Sequence, residues 1–152
     1  MNTLFGALAL SVVASSSCGQ ESITATDRGL NPEAIRAIQI SLGDTATGAC
    51  WTNLKEAREY AEEKLRIKGY NVVADLPSPQ PPNFIFWIGV GASRDGSGLC
   101  GGSINVSVQS VAFVDEFAGR FILKSVNTFV GNAGNNLNRR VIEAIQAMAS
   151  QM

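Results

Sequence analysis

Three cysteines, Cys18, Cys50 and Cys100, are the residues of this 152-residue chain whose chemistry is easiest to define. Cys50 lies in "TGACWTN" and Cys100 in "GSGLCGG", two loop-like segments. Exported proteins meet oxidising conditions, in which an even set of thiols tends to pair. Because removal or acylation of Cys18 leaves an even set, we predict a disulfide between Cys50 and Cys100, worth roughly 4 kcal/mol through loop-closure entropy. Two unrelated buried thiols and a redox pair are the alternatives.

Cys18 ends a stretch that is typical of an export signal. Residues 4–14, "LFGALALSVVA", form an apolar run that is followed by serines. Such a run is too short to cross a bilayer, which needs about 20 apolar residues. It fits the apolar region of a secretory signal peptide that is cut among residues 14–17. We therefore predict a signal peptide over residues 1–18, with the apolar N-terminus of a cytosolic protein as the alternative.

The tetrapeptide Ser15-Ser16-Ser17-Cys18 resembles the lipobox of bacterial lipoproteins at its last three positions. A serine stands at the first position, where the lipobox usually has leucine. Cys18 is therefore predicted either to leave with the signal peptide or to be lipidated, in which case it would tether the protein to a membrane.

The chain contains no histidine. Hydrolases in which histidine activates a serine or cysteine nucleophile are thereby excluded, and a zinc site of cysteine and histidine cannot be assembled. We predict no cofactor, and only metal sites made of oxygen ligands stay open. The 12 lysines and arginines are balanced by 13 acidic residues. This balance does not indicate a surface for polyanions, so nucleic acid is not expected as a partner.

Carboxylates in or near loops are the remaining groups that could do acid–base chemistry: Asp44, Asp75, Asp95, Asp115 and Glu116. A glycosidase needs two carboxylates that converge across a sugar, which a linear sequence does not show. Turn formation explains most of these residues, because aspartate side chains stabilise turns. We therefore predict no catalytic site, with a secreted enzyme that uses only carboxylates as the alternative.

Two tryptophans and a glycine-rich loop are further candidates for a ligand site. Gly96, Gly98 and Gly101 match the dinucleotide-binding pattern G-x-G-x-x-G. A strand rather than a helix is predicted to follow them, so this segment is predicted to be a loop. Trp51 and Trp87 could line a ligand site. Trp87, in an apolar strand, is nevertheless predicted to be core, and Trp51 is predicted to pack on the disulfide.

The first elements that position these residues follow a polar segment. Residues 19–31 carry no sustained periodicity and are predicted to be a flexible lead-in. Asn31 followed by Pro32 is typical of a helix start. The alternation of apolar and polar residues directly afterwards favours a strand over residues 35–42, which is the prediction adopted here.

Two amphipathic helices are predicted. The first begins at Asn53, with Glu56 completing a capping box, and stops at Gly69. The second is capped by Asn136. The two apolar stripes consist of Leu54, Ala57, Ala61 and Leu65, and of Leu137, Val141, Ala144, Ile145 and Met148. The charged faces opposite these stripes are predicted to be solvated.

Further segments have the pattern of strands: "YNVVADL", "NFIFWIGVG", "SINVSVQSV" and "FILKSVNTFV". The apolar residues change phase near Ser110, so a bulge or bend is expected there. "PSPQPP" is predicted to be an extended loop, and "DEFAGR" a hairpin turn. Short hairpins favour an α+β two-layer sandwich in which a mixed or antiparallel sheet of about 4–5 strands carries both helices on one face. We expect one globular domain over residues 32–152.

The order of these elements, from an export signal through a strand, a helix, several strands and a closing helix, resembles small outer-membrane assembly lipoproteins. The stretch "NLKEAREYAEEKLRIKGYNVV" is similar to the helix-to-strand junction of LptE-like lipopolysaccharide-assembly lipoproteins and of the N-terminal domain of TolB-like translocation proteins. The resemblance implies a non-catalytic accessory protein of the cell envelope, periplasmic or outer-membrane-associated, that binds a protein or envelope component. A soluble secreted binding or inhibitor protein is the alternative.

Overall fold

The computed structural model describes residues 30–114 and 117–152, which contain five strands and two α-helices. The strands are β1 (Ala37–Asp44), β2 (Val72–Val73), β3 (Asn83–Arg94), β4 (Cys100–Val114) and β5 (Phe117–Val130). The helices are α1 (Leu54–Ile67) and α2 (Asn138–Ser150). The predicted signal peptide, both fates of Cys18 and most of the predicted lead-in lie outside the described residues.

The strands form one open, mixed sheet in the order β2-β1-β3-β4-β5. β1 is parallel to both β2 and β3, whereas β4 is antiparallel to β3 and to β5. α1 connects β1 to β2, as two parallel strands require a crossover between them. The predicted α+β architecture with two helices is confirmed, and its sheet is mixed.

One face of the sheet packs on both helices and forms the core. The opposite face is called the open face below. Alternate strand residues point to the helix side, and the largest of them that are fully buried or nearly so are Ile38, Ile40, Phe86, Ile88, Ile104, Val106 and Val108. The helices contribute Ala57, Ala61, Leu65, Leu137, Val141, Ile145 and Met148. Each large aliphatic side chain contributes about 1.5–3 kcal/mol on burial, so the packing of helices on the sheet is the main source of stability.

The boundaries of α1 follow the prediction, but the capping box does not form. Asn53 is the N-cap residue, yet its side chain makes no capping hydrogen bond. Its Oδ1 accepts a hydrogen bond from Nε1 of Trp51 at 3.0 Å, and its Nδ2 donates to Glu56 at 3.0 Å. The buried indole therefore competes successfully for the capping oxygen. Gly69 has φ +89°, a conformation that glycine adopts without strain, and it terminates the helix as predicted.

Both signals around residues 31–42 are realised in succession. Oδ1 of Asn31 accepts from the backbone N–H of Glu33 and caps a short 3₁₀ turn, Pro32–Ala34. The predicted strand follows directly as β1. The helix-start signal and the strand pattern therefore describe adjacent segments.

The last helix begins later than the prediction places it. α2 starts at Asn138 with Leu137 as N-cap residue, and no side chain caps it from that position. Asn136 still contributes, because its Oδ1 accepts the backbone N–H of Asn138 at 3.2 Å. The predicted apolar stripe of this helix is buried.

The hairpin of β4 and β5 is longer than the sequence pattern predicts. "DEFAGR" is not a turn over its whole length, because Phe117–Arg120 already pair with Val111–Val114. The expected bulge lies slightly before Ser110: the register shifts between Val108 and Gln109. Leu123 of β5 is the extra residue at this shift, since its two neighbours pair with Val108 and Gln109.

Candidate functional site

The predicted disulfide is present and closes one end of the domain. Cys50 and Cys100 are fully buried, and their Cα atoms are 5.6 Å apart. The bond joins the loop before α1 to the first residue of β4. Trp51 is buried in the same hydrophobic cluster as the two cysteines. A disulfide is consistent with an oxidising, exported location.

Arg94 connects the loops at the disulfide end. Its guanidinium group donates to the backbone carbonyls of Gly48 and Asn135, each at 2.9 Å, and also to that of Gly98. These carbonyls belong to the loop before α1, the loop before α2 and the turn between β3 and β4. One exposed side chain thus links three loops, which stabilises this end of the domain.

Asp44 and Asp95, two of the candidate carboxylates, serve turns. Oδ1 of Asp44 accepts the N–H of Ala46 at 2.8 Å. Oδ1 of Asp95 accepts from the Oγ and N–H of Ser97 and from the N–H of Leu99. These hydrogen bonds favour the charged carboxylate and lower the pKa of Asp95. The largest contribution comes from the hydroxyl of Ser97 and the next largest from the backbone N–H of Leu99. The structure does not bring Asp44, Asp75 and Asp95 together with other candidate ligands into a metal-binding cluster within the described residues.

The other two predicted carboxylates, Asp115 and Glu116, lie outside the described residues. The glycine-rich segment is the turn between β3 and β4, as predicted, rather than a nucleotide loop. The N–H of Gly98 donates to the carbonyl of Asp95 at 3.0 Å, and Gly98 has φ +84°. Gly101 is part of β4.

Trp87 is not a core residue, contrary to the prediction. It lies on the open face and is partly buried, whereas its neighbours Phe86 and Ile88 are fully buried on the helix side. The indole ring lies over two glycines of the sheet. A β-carbon on Gly43 would overlap with the ring, and one on Gly89 would lie 2.7 Å from Nε1. The segment "NFIFWIGVG" has apolar residues at both alternating sets of positions. Its pattern therefore does not show which face of the strand carries the tryptophan.

Uncharged side chains surround Trp87 on the open face. By strand register these are Gln39, Ser41, Ile85, Ser103, Asn105, Ser107, Gln109, Ile122, Ser125, Asn127 and Phe129. Nδ2 of Asn105 donates to Oδ1 of Asn127 at 2.5 Å, and Ser107 donates to Asn105 at 3.3 Å. Arg120 lies one row of open-face side chains beyond the Gln109–Ile122 pair. Its guanidinium group is 5.8 Å from the centroid of the Trp87 ring.

A second exposed surface is the hairpin arm, defined as Val111–Val114 and Phe117–Leu123. The pairing of β3 with β4 ends at Ile85–Gln109, so the arm extends beyond the three central strands. Its base is fixed to the loop before β3, because the N–H of Val111 and the hydroxyl of Ser110 both donate to the carbonyl of Pro79. The large hydrophobic side chains of the arm are exposed: Phe113 57%, Phe117 80%, Phe121 53%, Ile122 60% and Leu123 46%.

A cleft of about 500 Å³ lies between β5 and α2. Its charged groups are Arg140 and Glu143, which form an ion pair at 2.9 Å. Glu143 also pairs with Arg139 at 2.8 Å. Hydrogen bonds from Arg139 and, to a smaller extent, from Arg140 lower the pKa of Glu143. These charges already satisfy one another, so the cleft is a weaker binding candidate than the hairpin arm or the open face.

Sequence reasoning missed the exposed aromatic residues of the arm. The run "FIL", residues 121–123, is a signal that could have revealed them. Three consecutive apolar residues in a strand that otherwise alternates exceed what one buried face accepts.

Among the described residues, no helix has the length and apolar character needed to cross a membrane.

Comparison of the chain with protein-family models, with curated proteins and with solved structures yields no match. The resemblance to outer-membrane assembly lipoproteins therefore stays a prediction. The hairpin arm and the open face are the two exposed surfaces that could carry a function.

Proposed function

We propose that this chain is a non-catalytic binding protein of an exported compartment, periplasmic or associated with the outer membrane, and that the hairpin arm docks a protein partner. The exposed apolar arm is the observation that carries this proposal. Monomeric soluble proteins rarely expose large contiguous apolar patches, and such patches mark interaction sites. Aromatic residues such as Phe113, Phe117 and Phe121 are enriched in the buried centres of protein interfaces.

The backbone of the arm favours a protein partner over a lipid one. β5 is the edge strand of the sheet, so it presents backbone N–H and C=O groups along its outer side. These groups would lose hydrogen bonds to water inside a bilayer, at a cost of several kcal/mol each. A strand from a protein partner supplies the missing hydrogen bonds while its side chains cover the aromatic ones.

Site-specific photo-crosslinking in the native host tests the arm. A photoreactive residue replaces Phe117 or Phe121, and matched controls replace the exposed Glu59 and Glu63 of α1. We expect both arm positions to form an adduct with the same protein, identified by mass spectrometry, whose purified form then binds the wild-type chain. Equal adducts at the control positions, or no adduct at the arm, would refute the proposal.

The export part of the proposal is tested by the mass of the mature protein from its native host. We expect an N-terminus between Ser15 and Gly19; an N-terminus at Cys18 with a lipid-sized mass on that residue establishes a membrane tether. A mature protein that retains residues 4–14 would contradict export. The supporting observation is the Cys50–Cys100 disulfide.

A further inference from the structure

We infer that the open face is a glycan-binding platform centred on Trp87, which accepts a short chain of β-linked hexose or N-acetylhexosamine units. This inference does not depend on the protein partner proposed for the hairpin arm. It is carried by the position of the indole ring over two glycines, by the uncharged polar side chains around it and by the position of a second aromatic residue.

The indole ring is seated as a platform. Gly43 and Gly89 are neighbours in the register of β1 and β3, and the absence of a β-carbon at both lets the ring of Trp87 lie over the backbone. A β-linked hexose of the gluco configuration carries its substituents equatorially, so each face of the sugar presents only C–H groups, which pack well on an aromatic ring.

The surroundings of the ring match sugar hydroxyls. Amides and hydroxyls, such as those of Asn105, Ser125 and Asn127, both donate and accept hydrogen bonds. Asn105, Ser125 and Asn127 bond to one another in the free protein, so a sugar has to add partners only for the donors and acceptors that these bonds leave over. Hydroxyl groups at the rim of a sugar ring supply those partners. Arg120 is the only charged residue described at this platform, too little for the phosphates of a nucleic acid.

Trp87, Asn105 and Phe129 lie on one diagonal of the sheet. The register pairs Gly89 with Asn105 and Ser103 with Phe129, so each step moves one strand outward and two residues along. From strand spacing and rise per residue, Trp87 and Phe129 are about 16 Å apart. This span accommodates a short oligosaccharide with a ring on each aromatic residue and amides between them.

Arg120 covers part of the platform in the free protein. Its guanidinium group lies over the Trp87 ring in a cation–π contact, which at an exposed position is worth about 0.5–1 kcal/mol. The side chain is long and solvent-exposed. A sugar ring can therefore take its place at a small cost in free energy.

Titration calorimetry of the mature full-length protein tests the platform. The probes are chitotriose and cellotriose, with the α-linked maltotriose as the control sugar. We expect at least one β-linked trisaccharide to bind more tightly than maltotriose. Trp87→Ala should weaken this binding by at least about tenfold, as loss of a central aromatic contact does. Ile67→Ala, which removes an exposed apolar side chain of α1 on the other side of the sheet, should leave binding unchanged.

Unchanged circular dichroism and an intact disulfide will show that the Trp87→Ala variant is folded. Gly89→Val is a second variant that keeps tryptophan but lifts its ring, and it should also lose binding. Three results would overturn the proposal: no binding of either β-linked sugar at millimolar concentration, equal binding by Trp87→Ala, or a wild-type dimer that Trp87→Ala dissociates. The last result would assign the open face to a second copy of the chain.

Discussion

At the scale of single residues, the position of Trp87 depends on residues that have no side chain. Its ring occupies the space in which the β-carbons of Gly43 and Gly89 would lie. A large aromatic residue on the open face is therefore held over the backbone of the sheet rather than projecting into water. The sequence does not reveal the role of these glycines, because Gly43 simply follows the strand pattern of residues 35–42 and Gly89 lies inside the apolar segment "NFIFWIGVG". Only the register between β1 and β3 brings them under the ring.

Gly43→Val tests this seating directly. The new side chain would overlap with the indole, so we expect the Trp87 ring to tilt away from the sheet, and the free energy of unfolding to fall by about 1–3 kcal/mol through overpacking. Emission of Trp87 should shift to longer wavelength and its quenching by iodide should increase. Gly96→Val is the matched control, since nothing lies within 4 Å of a β-carbon there. An unchanged emission spectrum in Gly43→Val would contradict the position of the ring over this glycine.

Tyr70 links the charge state of one residue to stability. It is buried, and its hydroxyl donates to the carbonyl of Leu30. Burial disfavours the phenolate and raises the pKa of Tyr70 above its ordinary value. The contribution of Tyr70 to stability is therefore fully present below the unfolded-state pKa of about 10. It is lost as the pH rises through the higher folded-state pKa.

Equilibrium urea unfolding at a series of pH values measures this effect. We expect the wild-type protein to lose stability more steeply above about pH 10 than Tyr70→Phe does. At neutral pH the variant should be less stable by about 0.5–1.5 kcal/mol, the usual net contribution of a hydrogen bond. The same alkaline slope in both proteins would show that Tyr70 is not the group responsible.

At the scale of secondary structure, periodicity predicts those elements that bury one face. The stripes of α1 and α2 and the alternation in β4 identify the residues that face the core, because packing against a neighbour imposes the period. The hairpin arm carries no such constraint, since both of its faces are exposed. For this reason the sequence predicts a turn where Phe117–Arg120 continue the β-ladder. Capping was also mispredicted, because the indole of Trp51 takes the oxygen of Asn53.

The arm should contribute little to the stability of the free protein. Because Phe117 and Phe121 are 80% and 53% exposed, we expect Phe117→Ser with Phe121→Ser to change the free energy of unfolding by no more than about 0.5 kcal/mol per site. Phe86→Ala, in the core, is the matched comparison and should cost about 3–5 kcal/mol. Urea unfolding measures both. A core-like loss in the arm variant would show that the arm packs on the domain.

At the scale of the whole molecule, the disulfide and Arg94 hold together one end of the domain. The exposed arm extends from the sheet beyond the last residue pair between β3 and β4. The pairing of Cys50 with Cys100 could be predicted because only an even set of thiols suits export. The open face could not, because it depends on the order of strands in space. A sheet built from β2-β1-β3-β4-β5 places Trp87 on a central strand, with polar residues of two later strands beside it.

Removal of the disulfide should destabilise the domain without altering its topology. We expect Cys50→Ala with Cys100→Ala to lower the free energy of unfolding by about 2–5 kcal/mol, chiefly because the unfolded chain gains freedom. Unfolding in urea with and without a reductant measures the change. A reductant should affect the wild-type protein and leave the double variant unaffected. If the wild-type protein is equally stable in both conditions, the bond does not contribute.

The irregularity at Leu123 has a consequence for solubility. An edge strand of 14 residues with exposed aromatic residues would ordinarily be a template on which further copies of the same strand could grow into fibrils. The bulge interrupts this template, because the residues on its two sides are out of register with one another and the strand bends between them. An incoming strand can pair with one side only. A long apolar edge can therefore stay exposed with less risk of self-propagating aggregation.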